Sequence, residues 1–400
     1  MIIIMNKILS LLISIITFAS IVFASPLDQD LVKYQKNYTF CHGNSNYQIT
    51  KCLLNGQLNY SRFRGDRYTY RKIDREELRY TEANGQIYPY VMSFLPKTRR
   101  YIGLMEYLNY LYSIMPYYTP PQFMGNSSED MIRMKRVFNL LHDAKLIEDD
   151  IYTMEFEAHL LAYQERHGLT VDGDIGPSTQ KALKQSIESI ISKVKKNLEL
   201  ERISSPKGAN YILVNIPEFK MHYYENYEPV LSMKVIVGKK KMRTPIFNRK
   251  MKYIVKNPRW NIPKNIYNKE YAHKSEEALR KQGLVYNSEG KLYQPSGKRN
   301  ALGVVKFLFP NKYNVYMHDT PSKHLFNKRI RAFSHGCIRL EKPLELLNKL
   351  GYQYTGRKNK WITVENRIPV YVEYHTVWID DEGIIQFRPD IYGYEKKLFR

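Results

Sequence analysis

Pro206 divides this 400-residue chain into two stretches with different hydrophobic periods, and that change limits the architectures open to it. Ahead of it, Met131, Met134, Val137, Leu140 and Leu141 recur at helical spacing behind the start signals Ser127, Ser128 and Glu129. A second helix is expected over about 152–167, and a third after Gly176-Pro177, carrying Ala182, Leu183 and Ile187. Beyond Pro206 the period becomes that of strands: 211–216, 219–224, 230–237, 252–255, 304–309, 313–318, 361–364 and 370–379 are short runs rich in Val, Ile, Tyr and Phe. Gly238, Pro245 and Pro310-Asn311 separate them as turn signals. The polar stretch 264–299, with a helix expected near 269–281, interrupts the strands and reads as an inserted cap over a groove. The whole is an α+β multidomain chain. A β-rich sandwich or partly closed sheet at 206–400 follows a small three-helix module at 127–200. Before both lies a mostly helical, tyrosine-rich N-terminal region at 25–126.

The first residues set the compartment. Lys7 precedes an apolar run from Ile8 to Phe23 that ends in Ala24-Ser25-Pro26, the pattern of an export signal over 1–24 with a cut after Ala24. If it is not removed, the same run serves as a membrane anchor. Either outcome puts the folded part outside the cytosol. The formal charge of +23 therefore points to an acidic envelope polymer or anionic headgroups, and nucleic acid is not expected as a partner. Export also bears on the three cysteines. Cys41 and Cys52 lie close enough for a local disulfide, although spacing alone leaves them equally open as free thiols. Cys337 is left over, and an unpaired thiol in an exported protein invites a chemical role.

The surroundings of Cys337 supply one. Phe333-Ser334-His335-Gly336-Cys337-Ile338-Arg339-Leu340 follows His318-Asp319-Thr320-Pro321, with Ser334 sixteen positions after His318. A thiol attacks as thiolate, and a histidine base makes the thiolate accessible. His318, at the end of an expected strand, is the better base, with its tautomer held by an acceptor at Asp319 such as the backbone carbonyl. His335, Gly336 and Ser334 flank the nucleophile, and their backbone with the Cys337 N–H is expected to form the oxyanion pocket. Arg339 suits a bidentate carboxylate contact, either a substrate's or a structural one. Tyr316 and Trp260 complete the expected binding set as groove lining. His318, His324, His335 and Cys337 match no common zinc spacing, so neither a metal nor a cofactor is expected.

These segments carry a resemblance. His318 and Ser334-His335-Gly336-Cys337, with Asn257-Pro258-Arg259-Trp260-Asn261-Ile262-Pro263, Asn300-Ala301-Leu302-Gly303, Phe309-Pro310-Asn311-Lys312-Tyr313 and 387–393, resemble the L,D-transpeptidase catalytic domain of the YkuD type. Arg339, where short members often carry Asn, is similar to the larger, cap-containing subgroup. The stretch 167–183, His-Gly-Leu-Thr-Val-Asp-Gly through Gly-Pro-Ser-Thr to Ala182-Leu183, resembles a peptidoglycan-binding module. The resemblance implies a periplasmic or cell-wall-associated enzyme of peptidoglycan biosynthesis, with a part in cell shape. It also implies a cysteine acyl-enzyme that releases D-alanine from a donor stem peptide and cross-links two diamino-acid residues. Stem peptides and glycan strands are the implied partners. The same residues would serve an L,D-carboxypeptidase or a protein-to-wall attachment enzyme; a wall-binding protein with a vestigial thiol is the non-catalytic alternative.

Overall fold

A computed structural model describes residues 27–399 except 61–62, 68–70, 126, 143 and 357. The expected export signal at 1–24 lies outside the described residues. The chain divides into two compact units, residues 1–57 with 70–95 and residues 58–69 with 96–400.

The first unit is helical: α1 (Gln29–Tyr38), α2 (Asn46–Asn55), α3 (Arg75–Ala83) and α4 (Ile87–Ser93). Asp28, Ser45 and Asp74 each cap a helix by accepting from backbone N–H groups of its first turn. Leu31, Ile49, Leu53 and Val91 are fully buried between the helices. Cys41 and Cys52 are joined in a disulfide, which resolves the choice their spacing left open.

The second unit opens with α5 (Arg99–Ile114), α6 (Ser127–His142), α7 (Met154–Arg166), α8 (Pro177–Leu183) and α9 (Ile187–Ile203). The loop between α7 and α8 is organised from within by Gln164, which is fully buried. Its carbonyl oxygen accepts from the N–H groups of Asp172 and Gly173, at 3.1 and 3.0 Å. Its amide donates to the Asp172 carboxylate and the Asp174 carbonyl, both at 2.9 Å. His167 closes α7 and stacks between Tyr163 and Phe387, which fixes the helical module onto the sheet domain.

The sheet domain contains β1 (Tyr211–Asn215), β2 (Lys220–Glu225), β3 (Glu228–Gly238), β4 (Phe247–Lys250) and β5 (Tyr253–Lys256). The cap follows, with β6 (Trp260–Asn261), α10 (Lys264–Ile266), α11 (Glu276–Lys281), β7 (Val285–Tyr286) and β8 (Leu292–Gln294). Then come β9 (Val305–Leu308), β10 (Met317–His318), β11 (Ala332–Ser334), β12 (Ile338–Leu340), α12 (Pro343–Lys349), β13 (Lys360–Thr363), β14 (Pro369–Glu373), β15 (Val377–Ile379), β16 (Ile385–Phe387) and α13 (Glu395–Leu398). Outside the cap and the β15–β16 hairpin, the strands form one curled sheet ordered β13-β5-β9-β10-β12-β3-β2-β1-β14-β4, with β11 on β3. Its core holds Ile212, Val235, Ile254, Phe307, Met317, Ile338 and Leu346.

Four expected elements come out differently. The third helix, expected to carry Ala182, Leu183 and Ile187, stops at Leu183, and Ile187 starts α9 behind the Ser186 cap. The run 313–318 is a strand only at its end. Asn314 adopts φ +54°, and the Asn311 side chain takes the carbonyls of Phe309 and Val315, both at 2.7 Å, so the chain loops before it pairs. The run 370–379 breaks at 374–376, where buried Asn215 and Asn197 accept from the N–H groups of His375 and Thr376, at 3.0 and 2.9 Å, in place of a strand partner. The single helix expected at 269–281 is a π-helical turn, Tyr267–Tyr271, followed by α11, which Ser275 starts afresh by capping Ala278. The cap has a small core of its own, Leu279, Leu284 and Leu292, beside Ile262, Tyr267 and Tyr271.

Candidate active site

Strand register brings the expected site residues together. His318 on β10 pairs with Arg339 on β12 in parallel and with Lys306 on β9 in antiparallel fashion, while the Ile338 N–H reaches the Tyr316 carbonyl. Side chains two apart on a strand share a face. Tyr316 and His318 thus stand beside Cys337 and Arg339, with Cys337 and His318 as diagonal neighbours. All of them, with Lys306, line one cavity of about 640 Å³. Ser334, His335 and Trp260 also line it, together with Ile266 and Tyr271 from the cap. Asp319 is not among the lining residues.

His318 is buried, and its Nδ1 donates to the Asp319 carbonyl at 2.5 Å. Because a carbonyl only accepts, that bond places the proton on Nδ1 and leaves Nε2 with its lone pair. Burial, reinforced by the Arg339 guanidinium, lowers the imidazole's pKa to about 3. The Asp319 carboxylate is engaged elsewhere, accepting from the Val304 N–H at 2.9 Å and pairing with Lys323 at 2.8 Å.

Cys337 sits half-buried at the cavity floor, its Sγ 3.8 Å from the Asn314 carbonyl. Desolvation by the surrounding protein raises the thiol's pKa, opposed by hydrogen bonds from Tyr316 and by the charges of Arg339 and Arg64. The resting pair is therefore a neutral thiol beside a neutral imidazole. Burial disfavours both charges.

The backbone at the nucleophile is braced. Gly336 has φ +120°, a conformation that favours glycine. Ser334 Oγ donates to the Cys337 carbonyl at 2.5 Å and accepts from the Gly336 N–H at 3.0 Å. Thr244 Oγ donates to the Gly336 carbonyl at 2.9 Å, and the Tyr392 hydroxyl accepts from the Thr244 N–H at 3.1 Å. The Gly336 N–H is thereby occupied, which removes it from the expected oxyanion donors. His335 Nε2 is paired with Glu270 of the cap, so this side chain clasps the cap to the site wall.

Three features are not visible in the sequence. Lys306 lies over the rings of Tyr316 and Trp361, Arg64 arrives from far upstream, and Glu270 belongs to the cap. Alternation on β9 could have flagged Lys306; no local pattern flags Arg64. Together the cavity presents Arg64, Arg259, Lys306 and Arg339, and no Asp or Glu among the described residues lines it. Arg339 has a buried Nε with no hydrogen-bond partner among the described residues, and burial lowers its pKa. No carboxylate among the described residues lines the cavity beside it.

The chain is similar to several known proteins over this region. Residues 209–372, which include Cys337, His318 and Arg339, match the family model of YkuD, the L,D-transpeptidase catalytic domain. That stretch is therefore similar to a transpeptidase catalytic domain. A Haemophilus influenzae protein, provisionally named an L,D-transpeptidase, is 32% identical over 244 residues, covering 52% of this chain and 49% of that protein. The chain thus spans about half the length of this curated relative. Among solved structures, an L,D-transpeptidase from Stackebrandtia nassauensis overlaps 64% of this chain and 97% of its own at 15% identity, with a TM-score of 0.27. The catalytic domain of an E. faecium L,D-transpeptidase acylated by ertapenem overlaps 42% of this chain and all of its own (100%) at 17% identity, with a TM-score of 0.25.

The two buried histidines predict a pH dependence of stability. Burial lowers His167 to about 3, as it does His318. Both take up a proton near pH 6.5 when unfolded and near 3 when folded. Below 6.5 the unfolded chain binds more protons, so stability is full above that pH and falls as pH drops toward 3. Each contributes up to about 1.4 kcal/mol per pH unit. Urea midpoints are expected to fall between pH 6.5 and 4.5, with a shallower fall in His167→Leu. A flat profile in that window contradicts the neutral, buried imidazoles.

Proposed function

We propose that this protein is a peptidoglycan L,D-transpeptidase that works through an acyl-enzyme on Cys337. The observation that carries the reading is the sharing of one cation-lined cavity by Cys337, His318 and Arg339, inside the stretch matching the transpeptidase domain. The donor would be a stem peptide ending in D-alanine after a diamino acid. His318 Nε2 takes the thiol proton as Sγ bonds to the carbonyl carbon of the diamino acid. Collapse of the tetrahedral intermediate breaks the amide C–N bond, and the imidazolium passes its proton to the departing D-alanine amine. A thioester remains. The amine of an acceptor stem attacks it, gives its proton to His318, and releases Cys337 with a new amide. The N–H groups of His335 and Cys337 are the backbone donors suited to the oxyanion, since that of Gly336 is engaged. Arg339, beside the base, suits the carboxylate of the departing D-alanine.

The export pattern, the +23 charge and the helical module at 127–200 support action outside the cytosol on an acidic wall polymer. The module would hold glycan strands or stem peptides there, and the cap would limit water at the thioester. Incubation of the purified protein with disaccharide-tetrapeptide is expected to give a dimer lighter than two substrates by one alanine. Tripeptide alone would indicate hydrolysis, and unchanged substrate with no protein adduct would sink the assignment.

A further inference from the structure

Arg64 lies well outside the matched domain, yet it lines the same cavity as Cys337. A short strap holds it there by contacts that serve no visible purpose other than position. Asn59 donates to the Leu398 carbonyl at 2.8 Å, and Phe63 packs on Tyr394 with ring centroids 5.5 Å apart. The Arg64 N–H reaches the Tyr394 hydroxyl at 3.3 Å, and its carbonyl accepts from the Ile246 N–H at 3.0 Å. Gly65 forms a parallel bridge with Ile246 so close that a Cβ would lie 2.3 Å from the Ile246 carbonyl oxygen. Asp66 ends the strap in a cluster with Arg249 at 2.8 Å, Lys312 at 3.0 Å and the Tyr313 hydroxyl at 2.9 Å. The guanidinium itself is oriented: Nη1 donates to the Arg243 carbonyl at 2.6 Å, and Nη2 lies 3.9 Å from where a Cβ on Gly336 would stand.

The placement relative to the base decides what this cation meets. His318 must protonate the departing amine, so the leaving D-amino acid lies on the imidazole side, where register sets Arg339. Arg64 approaches Cys337 from the Gly336 side instead. Arg339 acts on both the thiol and the imidazole, whereas Arg64 acts on the thiol and is not among the charges acting on the imidazole. The part of the donor on that side is the acyl portion that stays on sulfur. No carboxylate among the described residues pairs with Arg64, and none of them lines the cavity.

We infer that Arg64 is a specificity-determining residue that binds a carboxylate on the acyl portion of the donor, so that the strap preceding the catalytic domain selects acidic stem peptides. This rests on the transpeptidase reading. The diamino acid that forms the thioester, when it carries a side-chain carboxylate, presents such a group close to the scissile carbonyl. A guanidinium already fixed by its own backbone contact loses little entropy on binding it and favours the carboxylate over an uncharged amide.

The test uses the full chain and two synthetic donor tetrapeptides, one with a free side-chain carboxylate on the diamino acid and one with that group as the carboxamide. Thioester formation is followed by intact-protein mass. For the native protein the carboxylate donor is expected to have the higher kcat/KM. In Arg64→Gln the carboxylate-to-amide ratio should fall about 10- to 100-fold, chiefly through KM, with partial recovery in Arg64→Lys. Asp66→Asn, which loosens the strap without touching the guanidinium, should lower the ratio in the same direction. An unchanged ratio in Arg64→Gln, or equal losses on both donors, overturns the inference. Absence of a thioester with either donor in the native protein overturns the transpeptidase reading instead.

Discussion

Cys337→Ala is expected to leave a folded protein whose acylation by a tetrapeptide donor or a carbapenem falls by at least about 10⁴-fold, the scale of losing a nucleophile that works as a unit with its base. The fold should survive because the thiol is half-buried and its described contact to the Asn314 carbonyl is long and weak. The bracing of this segment runs through Ser334, Thr244 and Tyr392 and leaves the sulfur out. Cys337→Ser is expected to fare little better. A hydroxyl is far harder to ionise than a thiol, and the neighbouring imidazole, lowered to about 3, is too weak a base to compensate. Intact mass after incubation reads both variants directly. An adduct on the alanine variant at the native rate would mean that another residue is the nucleophile.

The second large effect concerns the base. His318→Asn keeps an amide that can donate to the Asp319 carbonyl but offers no lone pair to the thiol, and kcat/KM near pH 7 should fall about 10²- to 10⁴-fold. The pH profile makes the role specific. Burial raises the thiol's pKa, so the variant's rate of alkylation by iodoacetamide should climb about tenfold per pH unit and meet the native rate once the thiol ionises unaided. In the native protein an imidazole already neutral above pH 5 should leave no inflection near 6.5. Full native activity in the variant at pH 7 would remove His318 from the mechanism.

Local chemistry announced much of this site. A cysteine after Ser-His-Gly, a histidine at the end of an apolar run, and a strand period on both sides were visible because nucleophile, base and strand each leave a short-range mark. Two of the helices within 127–200 are marked in the same way, by the glycines and Pro177 of the loop between them. Less legible were the places where side chains take over backbone hydrogen bonds, some from neighbours and some from far along the chain. The left-handed backbone of Asn314 and the Asn311 amide turn most of an apparent strand into a loop, and the buried amides of Asn215 and Asn197 interrupt another in place of a ladder partner. The Gly336 N–H donates to Ser334 Oγ, a pairing no sequence pattern marks.

The amino-acid order alone determined which residues can do chemistry and which period each segment follows, since these are properties of neighbours within a few positions. Only the tertiary structure decided the rest. It brought His318 beside Arg339 through parallel pairing and set Arg64 at the cavity wall by the strap's contacts with Ile246 and Tyr394. It also made both members of the Cys337–His318 pair neutral. The physical reason is that charge state follows from desolvation and distance, and both exist only after remote segments have packed around the sulfur.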